Sequence, residues 1–288
     1  MSKKTLVCIH IMPYEIEMFQ RFMVQYRKAL AYCKDYNVYI KATLNLNPKL
    51  VDWDSSELKQ EYFINLFNQE FQYKGMNNIN QIVLDDSMWG TTQQKRESIK
   101  IDYFDQFIFV DTDIIIHEHQ LLYQLRASES LNGKYIVSPS IPKWWDRSWD
   151  YLVDDKVKDV EFSKKETIDM VYSQQPSQLV MKQIPSIKFG CGMHTLYSKE
   201  FWQFVGIPES FGGYGPEDTY GMTAGAIAIQ KGYDIKQYVL NGIFITEDWV
   251  NREPTIKDKI KKADLKTNFY EAAKSHMQQE LHNFLRRI

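Results

Sequence analysis

Short apolar runs alternate with helical segments over the first half of the chain, and this alternation constrains the fold more than any other feature. The apolar runs, rich in β-branched residues, have the composition of buried strands and cover residues 5–12, 38–46, 79–84 and 107–110. The segments between them have helical composition and cover residues 15–34, 55–71 and 91–101. Strands that alternate with helices form a mostly parallel sheet with helices on its faces, so we predict a Rossmann-like α/β fold.

The second half of the chain is less regular. We predict strands in residues 135–140, 187–197 and 233–246, and helices in residues 198–205 and 217–231. The polar stretch 156–182 is expected to form a helical or loop insertion. We expect one domain over residues 1–255, divided near residue 115, and a C-terminal helical extension over residues 256–288 that packs on it.

The net charge and the cysteines indicate which binding partners and which cellular compartment to expect for this protein. The chain has 288 residues and a formal net charge of −2, which offers no general electrostatic platform for DNA or RNA. The apolar stretch 6–12 is too short to cross a membrane and no cleavage site follows it, so we expect neither a signal peptide nor a transmembrane segment.

The three cysteines, Cys8, Cys33 and Cys191, lack metal-ligand spacing. Their odd number argues against a disulfide framework and predicts a cytoplasmic protein.

Two aspartates, Asp111 and Asp113, directly follow the fourth apolar run. Ligands of parallel sheets bind beyond the carboxyl ends of the strands, and residues i and i+2 of an extended segment point to the same side. Paired carboxylates repel each other, and Mg²⁺ or Mn²⁺ removes that repulsion by taking one or two carboxylates plus phosphate oxygens as ligands. The pair is therefore a candidate metal and diphosphate site. Asp-x-Asp also occurs in solvated loops and at helix N-termini, so a structural role stays open.

The segment 211–218 combines glycines with two acids, Glu217 and Asp218. Glycines allow close backbone approach, and an acid that faces a cleft can accept a proton from a hydroxyl. Alternatively, both acids stabilise the first turn of a helix that begins after Pro216. A second segment, 189–193, has glycines at alternate positions, which indicates either a close approach to a ligand or a bulge.

A tryptophan-rich stretch with interleaved charged residues covers residues 144–150. Trp faces bind sugar rings and the charged neighbours add hydrogen bonds, so the stretch, with Trp145 inside it, is a candidate acceptor site or lid. The alternative is a partly buried hydrophobic cover.

Taken in chain order, these motifs resemble the β-1,4-galactosyltransferases and related family 2-like GT-A glycosyltransferases. After the Asp-x-Asp and the glycine segment come Tyr-Ser-Lys-Glu-Phe at 197–201, Gly-Ile-Pro at 206–208 and Gly-Tyr-Gly-Pro-Glu-Asp at 213–218. The family has a Gly-Gly strand, Ser-Lys-x-x-Phe, Gly-Phe-Pro and Trp-Gly-Trp-Gly-Gly-Glu-Asp in the same order. Several spaced motifs in the right order are more specific than any one of them. In outline the resemblance covers roughly residues 85–255.

The resemblance implies a GT-A domain and a role for each matching residue. Asp113 resembles the metal ligand, and Asp111 is expected nearer to the ribose or to a metal-bound water. Asp218 resembles the catalytic base of an inverting transferase, and Glu217 resembles an acceptor-binding or supporting acid. The remaining candidates for binding the donor or the acceptor are Gly192, Tyr214, Trp145, Lys95 and Arg96. Tyr214 stands where the family has Trp. Lys95 and Arg96 are alternatively solvated charges on a helix.

The sequence departs from the family at two places. The family supplies a metal-binding His after its last strand, whereas this chain has Glu247 and Asp248 there. A carboxylate can replace that His because carboxylates suit Mg²⁺ and Mn²⁺, so we predict Glu247, or alternatively Asp248, as the third ligand. The family's Arg after the first strand is also missing, and His10 and Pro13 occupy the region that would contact the nucleotide.

The sequence thus predicts a metal-dependent glycosyltransferase that moves a sugar from a nucleoside diphosphate donor, in first place a UDP-sugar, to an acceptor hydroxyl. Residues 1–115 would hold the nucleotide sugar and residues 116–255 the acceptor. A glycan is the predicted acceptor, and a hydroxylated base in phage-type modified DNA is the lesser alternative. Two rivals stay open. A nucleotidyltransferase should carry a Gly-rich basic loop, which residues 10–15 lack, and a non-catalytic carbohydrate-binding protein would use the tryptophan stretch.

Overall fold

A computed structural model describes residues 2–72, 76–85, 90–142, 147–160, 165–175, 180–185, 193–248, 256–261 and 265–288. Two residues predicted to bind the donor or the acceptor, Gly192 and Trp145, lie outside these ranges, as does Cys191.

Strands of the described residues form one large sheet and one small ribbon. They are β1 (Lys4–Ile11), β2 (Asn37–Asn45), β3 (Asn77–Val83), β4 (Gln106–Val110), β5 (Ile114–Ile115), β6 (Lys134–Ser140), β7 (Val180–Ile184), β8 (His194–Ser198), β9 (Ile235–Phe244) and β10 (Thr246–Glu247). The large sheet has the order β3-β2-β1-β4-β8-β6-β9-β7, and β5 pairs with β10 in an antiparallel ribbon. β8 and β7 run against the other strands of the large sheet, which is therefore mainly parallel.

Helices cover both faces of the sheet. They are α1 (Ile16–Ala31), α2 (Gln60–Gln69), α3 (Thr91–Ile99), α4 (Gln120–Glu129), α5 (Lys165–Ser173), α6 (Lys199–Val205), α7 (Glu217–Gln230) and α8 (Leu265–Arg287). Side chains of β1 alternate between the two faces, as the period of a strand requires. Val7 and Ile9 join the core that includes α1, α2 and α4. Leu6 and Cys8 join the core that includes α6, α7 and α8.

The predicted α/β fold with a mainly parallel sheet and a C-terminal helix is confirmed. The structure differs in the stretch 156–182, where we predicted a helical or loop insertion, because β7 follows α5 there. β7 pairs with β9 at the edge of the sheet, and most of its side chains are exposed or half-buried. An edge strand of this kind lacks the apolar run that marks a buried strand in a sequence. Within the described ranges, no helix is long and apolar enough to cross a membrane.

Helices α6 and α7 approach each other closely because Gly221 faces Trp202. A Cβ built on Gly221 would lie 2.7 Å from Cη2 of Trp202, whose ring is buried against Phe109 and Tyr197. Alanine gains about 1 kcal/mol of helix propensity over glycine, but overpacking a core costs about 1–3 kcal/mol. We expect Gly221→Ala to lower the free energy of unfolding by about 1 kcal/mol in urea denaturation.

Gly225→Ala on the same helix is the matched control. Its Cβ would meet the Phe201 ring at 3.3 Å, so this variant should lose less stability than Gly221→Ala. A Gly221→Ala variant as stable as the wild type would contradict the close packing of the two helices.

Candidate active site

Strands β1 and β4 lie side by side in parallel, and their carboxyl ends bring His10 and Asp111 together. Ile9 of β1 pairs with Val110 of β4, so the residues that follow them emerge at the same edge of the sheet. His10 is buried, and the Asp111 N–H donates to the carbonyl of Met193, just before β8, at 3.1 Å. The site therefore begins where a parallel sheet places its ligands.

The ribbon of β5 and β10 brings Asp113 and Glu247 to the same place. Glu247 pairs with Ile114, and the Asp248 N–H donates to the Asp113 carbonyl at 2.6 Å. The chain turns at Thr112 and Asp113, so the extended conformation that we expected for the two aspartates is wrong. Both aspartates nevertheless line one cleft with Glu247.

The two acids after β9 have different surroundings. Glu247 lines the cleft, whereas the Asp248 carboxylate is buried and its Oδ2 lies 3.7 Å from Nε of Arg21 on α1. Of the two carboxylates that the sequence offered as a third metal ligand, the geometry favours Glu247.

Backbone contacts hold the loop before α7 against the start of α3. Gly212 has a φ of +61°, which L side chains rarely adopt. A Cβ on Gly90 would collide with the Gly213 carbonyl, so no side chain fits between the two segments. The Thr92 N–H donates to that carbonyl at 2.9 Å, and the Thr92 hydroxyl accepts from the Gly215 N–H at 2.8 Å. These contacts fix the point at which α7 begins.

The Glu217 carboxylate is engaged by α3. Lys95 Nζ donates to Oε1 at 2.5 Å and the Thr92 hydroxyl donates to Oε2 at 2.7 Å. The side chains of Lys95 and Glu217 are each 6% exposed. Burial acts to lower the pKa of Lys95, but the charges of Glu217, Asp111 and Asp218 outweigh burial and raise that pKa above its ordinary value. Lys95 is therefore a permanent cation beneath the carboxylates.

Asp218, the second residue of α7, lines the cleft beside this pair. Its Oδ1 accepts the Thr219 N–H at 2.6 Å. Burial raises the pKa of Asp218 above its ordinary value of 3.8 and the charge of Glu217 adds to the rise, while Lys95 and the Thr219 hydrogen bonds oppose it. A carboxylate with a raised pKa is a stronger proton acceptor at neutral pH than an ordinary one.

One cleft of about 250 Å³ collects most of the predicted site residues. It lies among the ends of β1 and β4, the ribbon, the start of α7 and one residue of α8. The predicted residues that line it are His10, Lys95, Asp111, Asp113, Tyr214, Glu217, Asp218 and Glu247.

The structure places the other described candidates elsewhere. Arg96 is buried and donates to the carbonyls of Ile207 and Gly212 at 3.1 Å each, so it ties the loop before α7 to α3. Pro13 opens a short 3-10 turn that leads into α1, and Trp149 packs against the core. None of these three side chains lines the cleft.

Several contributors to the cleft and its support were not predicted from the sequence. Glu15, Thr91, Thr219 and Tyr270 line the cleft, and Thr92 donates a hydrogen bond to Glu217. The position of Thr92 in the first turn of α3 was a usable signal, since threonines at helix starts bond nearby backbone groups. Tyr270 lies in a polar helix far from any motif, so no local signal pointed to it.

The carboxylates of Asp111, Asp113 and Glu247 are chemically suited to Mg²⁺ or Mn²⁺, which prefer oxygen ligands. No group of three or more His, Cys, Asp or Glu side chains in the described part of the chain is arranged to hold a metal ion by itself. A hard cation bound by one or two of these acids would complete its shell with phosphate oxygens and water, which is the usual mode of Mg²⁺.

Removing the charge of Lys95 tests the buried pair. Lys95→Met leaves Glu217 as an uncompensated buried charge, so we expect a loss of about 3–5 kcal/mol in the free energy of unfolding. The double variant Lys95→Met/Glu217→Gln should recover much of this loss, because the neutral amide no longer needs a cation. Urea denaturation measures both.

Lys100→Met is the control at the end of α3. Its partners are Glu97 at 2.9 Å and Glu209 at 3.8 Å, and the side chains of Lys100, Glu97 and Glu209 are 56%, 45% and 80% exposed. An exposed pair contributes little, so this variant should unfold like the wild type. A Lys95→Met variant as stable as Lys100→Met would show that the buried pair does not support the fold.

Comparisons with known proteins agree with the fold. No protein-family model matches the sequence, and no curated protein sequence matches it. Among solved structures, a mannosyltransferase from Pyrobaculum calidifontis, in complex with GDP-Man and Mn²⁺, superposes with a TM-score of 0.52 at 11% identity over 99% of this chain and 73% of that chain.

Two further similar structures have TM-scores below 0.5. Glucosyl-3-phosphoglycerate synthase from Mycobacterium tuberculosis has a TM-score of 0.48 at 10% identity over 98% of this chain and 80% of that chain. TarS from S. aureus, residues 1–349, has a TM-score of 0.47 at 12% identity over 99% of this chain and 71% of that chain. The similarity to the mannosyltransferase, at 11% identity and a TM-score of 0.52, establishes the GT-A fold of this chain and nothing further.

Proposed function

We propose that the protein is a metal-dependent glycosyltransferase that moves a sugar from a nucleoside diphosphate donor to an acceptor hydroxyl. The observation that carries this proposal is the convergence of Asp111, Asp113, Glu247 and Asp218 in one cleft at the carboxyl ends of the strands. These residues come from three distant parts of the chain. The GT-A fold, and a fold neighbour whose structure holds GDP-Man and Mn²⁺, support the same class of reaction.

Donor binding is assigned to the half of the cleft formed by residues 1–115, together with the ribbon. Asp113 and Glu247 would hold Mg²⁺ or Mn²⁺, with Asp111 beside them at the ribose or at a metal-bound water. When bound, the cation neutralises the diphosphate leaving group. Lys95 adds a positive charge that interacts with Asp111, Glu217 and Asp218, which lowers the mutual repulsion of these three carboxylates before any ligand binds. UDP-sugars are the first donors to test.

Asp218 is proposed as the base of an inverting transfer. The acceptor hydroxyl attacks the anomeric carbon of the donor sugar, the bond from that carbon to the diphosphate oxygen breaks, and the hydroxyl proton passes to the Asp218 carboxylate. Glu217 cannot share this task in its observed position, because Lys95 and Thr92 occupy its two oxygens. Glu217 supports Asp218 instead by raising its pKa and by fixing the start of α7.

The two rival functions fit the structure less well. The residues after β1 form a 3-10 turn, Pro13–Glu15, that brings an acid and not a basic glycine loop into the cleft. A nucleotidyltransferase would need the basic loop. A non-catalytic carbohydrate-binding protein would need neither the buried cation nor the base, and it would show no donor turnover.

Asp113→Asn tests the metal assignment at constant side-chain size. We expect release of nucleoside diphosphate from a panel of UDP-sugars and GDP-mannose to require Mn²⁺ or Mg²⁺ and to stop with chelator. The Asn variant should lose on the order of 100-fold in kcat/KM, because one ligand charge is removed.

Asp234→Asn, at an exposed aspartate directly before β9, is the control and should keep full activity. Full turnover by Asp113→Asn, or by the wild type in excess chelator, would contradict the metal-dependent assignment.

Asp218→Asn tests the base through activity and stability together. The pKa of this carboxyl is raised in the folded state, so the folded protein loses stability as the pH rises above the unfolded pKa toward the folded one. The Asn variant lacks that loss, so at pH 7 it should be more stable than the wild type while transfer falls by about 100-fold or more. In the wild type, kcat/KM should fall on the acid side at a higher pH than an ordinary aspartate would give.

Thermal melting and pH–rate profiles measure the two effects. An active Asp218→Asn variant would remove Asp218 from the role of base, and a variant less stable than the wild type at pH 7 would contradict the raised pKa of this carboxyl.

A further inference from the structure

Strand β3 forms one edge of the large sheet, and its outer side is open. In the part of the chain that the structure describes, β3 pairs with β2 and with no other strand. The first four of its seven residues, 77–80, are exposed. An edge strand presents a row of unpaired N–H and C=O groups, which pair readily with a further strand. The outer side of β3 is therefore a candidate surface for the addition of a strand.

The two edges of the sheet differ in how they oppose such pairing. β7, at the other edge, carries the exposed Lys182. A lysine on an edge strand hinders pairing with a further strand, because its charge has to stay in water. β3 has the sequence Asn-Asn-Ile-Asn-Gln-Ile-Val, which contains neither a charged residue nor a proline. One edge of the sheet is thus protected, and the other lacks the usual protection.

Exposed apolar side chains lie beside the open edge on the face that α3 covers. The helix reaches as far as Lys41 of β2, whose Nζ donates to the Ser98 hydroxyl at 3.0 Å. Ile79 pairs with Lys41 in register and is 41% exposed. Tyr103 is 49% exposed, and its ring centroid lies 5.6 Å from that of Tyr39 on β2. Aromatic and aliphatic side chains of this kind are typical of the centre of a protein interface.

An apolar groove lies beside the start of β3 on the opposite face of the sheet. It has a volume of about 530 Å³, and its lining includes Leu30 of α1, Val38 of β2 and Met76 just before β3. Leu84, just after β3, is 49% exposed. When a second β3 runs antiparallel to the first, the end of each strand lies beside the start of the other. Each Leu84 would then lie near the groove of the other copy.

An antiparallel pair of β3 strands is compatible with twofold symmetry. Directly opposed residues of antiparallel strands lie on the same face, so a twofold axis perpendicular to the sheet passes a residue that faces its own copy. An axis at Ile79 places the two Ile79 side chains against each other and pairs Asn78 with the partner's Asn80. An amide side chain both donates and accepts hydrogen bonds, so these asparagines can bond each other. No charged side chain of β3 meets its like across the axis, because the strand has none.

The size of the edge is sufficient for a dimer. β3 has seven residues, which span about 23 Å at about 3.3 Å per residue. With one helix layer about 10 Å thick on each face of the sheet, the edge offers roughly 600 Å² per copy. Specific interfaces bury about 600–1,000 Å² per partner. A twofold pair also closes on itself, whereas pairing of β3 with β7 of a further copy would extend into an open fibre.

We propose that β3 is a dimer interface, at which two copies of this chain join their large sheets through an antiparallel pair of β3 strands with Ile79 at the twofold axis. The inference is independent of the proposed transfer reaction, because neither Ile79 nor the groove lines the cleft.

Sedimentation velocity of the full chain over a range of concentrations tests the dimer. The wild type should sediment as a dimer that dissociates on dilution. Ile79→Lys should raise the dissociation constant by at least about 100-fold, because the two lysines would face each other across the axis. Val180→Lys, at an exposed valine of β7, is the matched control and should leave the dissociation constant unchanged.

A cysteine substitution locates the axis. Mild oxidation of Ile79→Cys should link two chains through a disulfide, since directly opposed residues of antiparallel strands bring their Cβ atoms to about 4.5–5.5 Å. Val180→Cys should give no linked dimer above the background of the wild type, whose own cysteines are Cys8, Cys33 and Cys191.

Three results would overturn the proposal. They are a wild type that stays monomeric at every concentration, a dimer that Ile79→Lys leaves intact, and Ile79→Cys chains that oxidation does not link above the background.

Discussion

The buried ion pair between Lys95 and Glu217 is the interaction on which the rest of the site depends. It joins α3, which precedes β4, to the first turn of α7, which lies more than a hundred residues further along the chain. Because Thr92 bonds the same carboxylate and the loop backbone, the pair sets both the start of α7 and the path of the loop. Asp218 and Tyr214 take their positions from these contacts.

Lys95 also reduces the repulsion between the carboxylates of the site. Several carboxylates in one cleft repel each other, and burial increases the cost. Lys95 lies among them with a raised pKa, so its charge offsets part of the repulsion at every physiological pH. One cation does not balance all the carboxylates of the lining, and a divalent ion is suited to offset part of the negative charge that remains. The stability of the fold and the proposed chemistry are thus linked through one side chain.

The sequence predicted those parts of the structure that local patterns determine. Buried strands such as β1 and β4 appear as apolar runs, and the order of strands and helices was sufficient to predict the fold. The edge strand β7 was not predicted, because its exposed residues lack the apolar run of a buried strand. The motifs indicated Asp111, Asp113, Glu217 and Asp218, and the structure places all four in one cleft.

Tertiary contacts decided what local patterns left open. Glu247 and Asp248 are neighbours with similar side chains, and only the register of the ribbon and the contact with Arg21 distinguish them. Arg96 is adjacent to Lys95, yet it bonds loop carbonyls and Lys95 bonds Glu217. Tyr270 reaches the cleft because α8 packs on Gly215, which depends on how a distant helix returns to the body of the protein.

Cooperative binding of a divalent ion and a nucleoside diphosphate tests the central claim most directly, and it is measured as a shift in melting temperature. If the cleft carboxylates hold the ion only together with phosphate oxygens, Mn²⁺ alone and UDP or GDP alone should shift the melting temperature little. One of the nucleotides with Mn²⁺ should raise it clearly, since a ligand at about 100 times its Kd adds about 2.7 kcal/mol. A full shift with Mn²⁺ alone, or no shift with any combination, would contradict a nucleotide-sugar site built on these carboxylates.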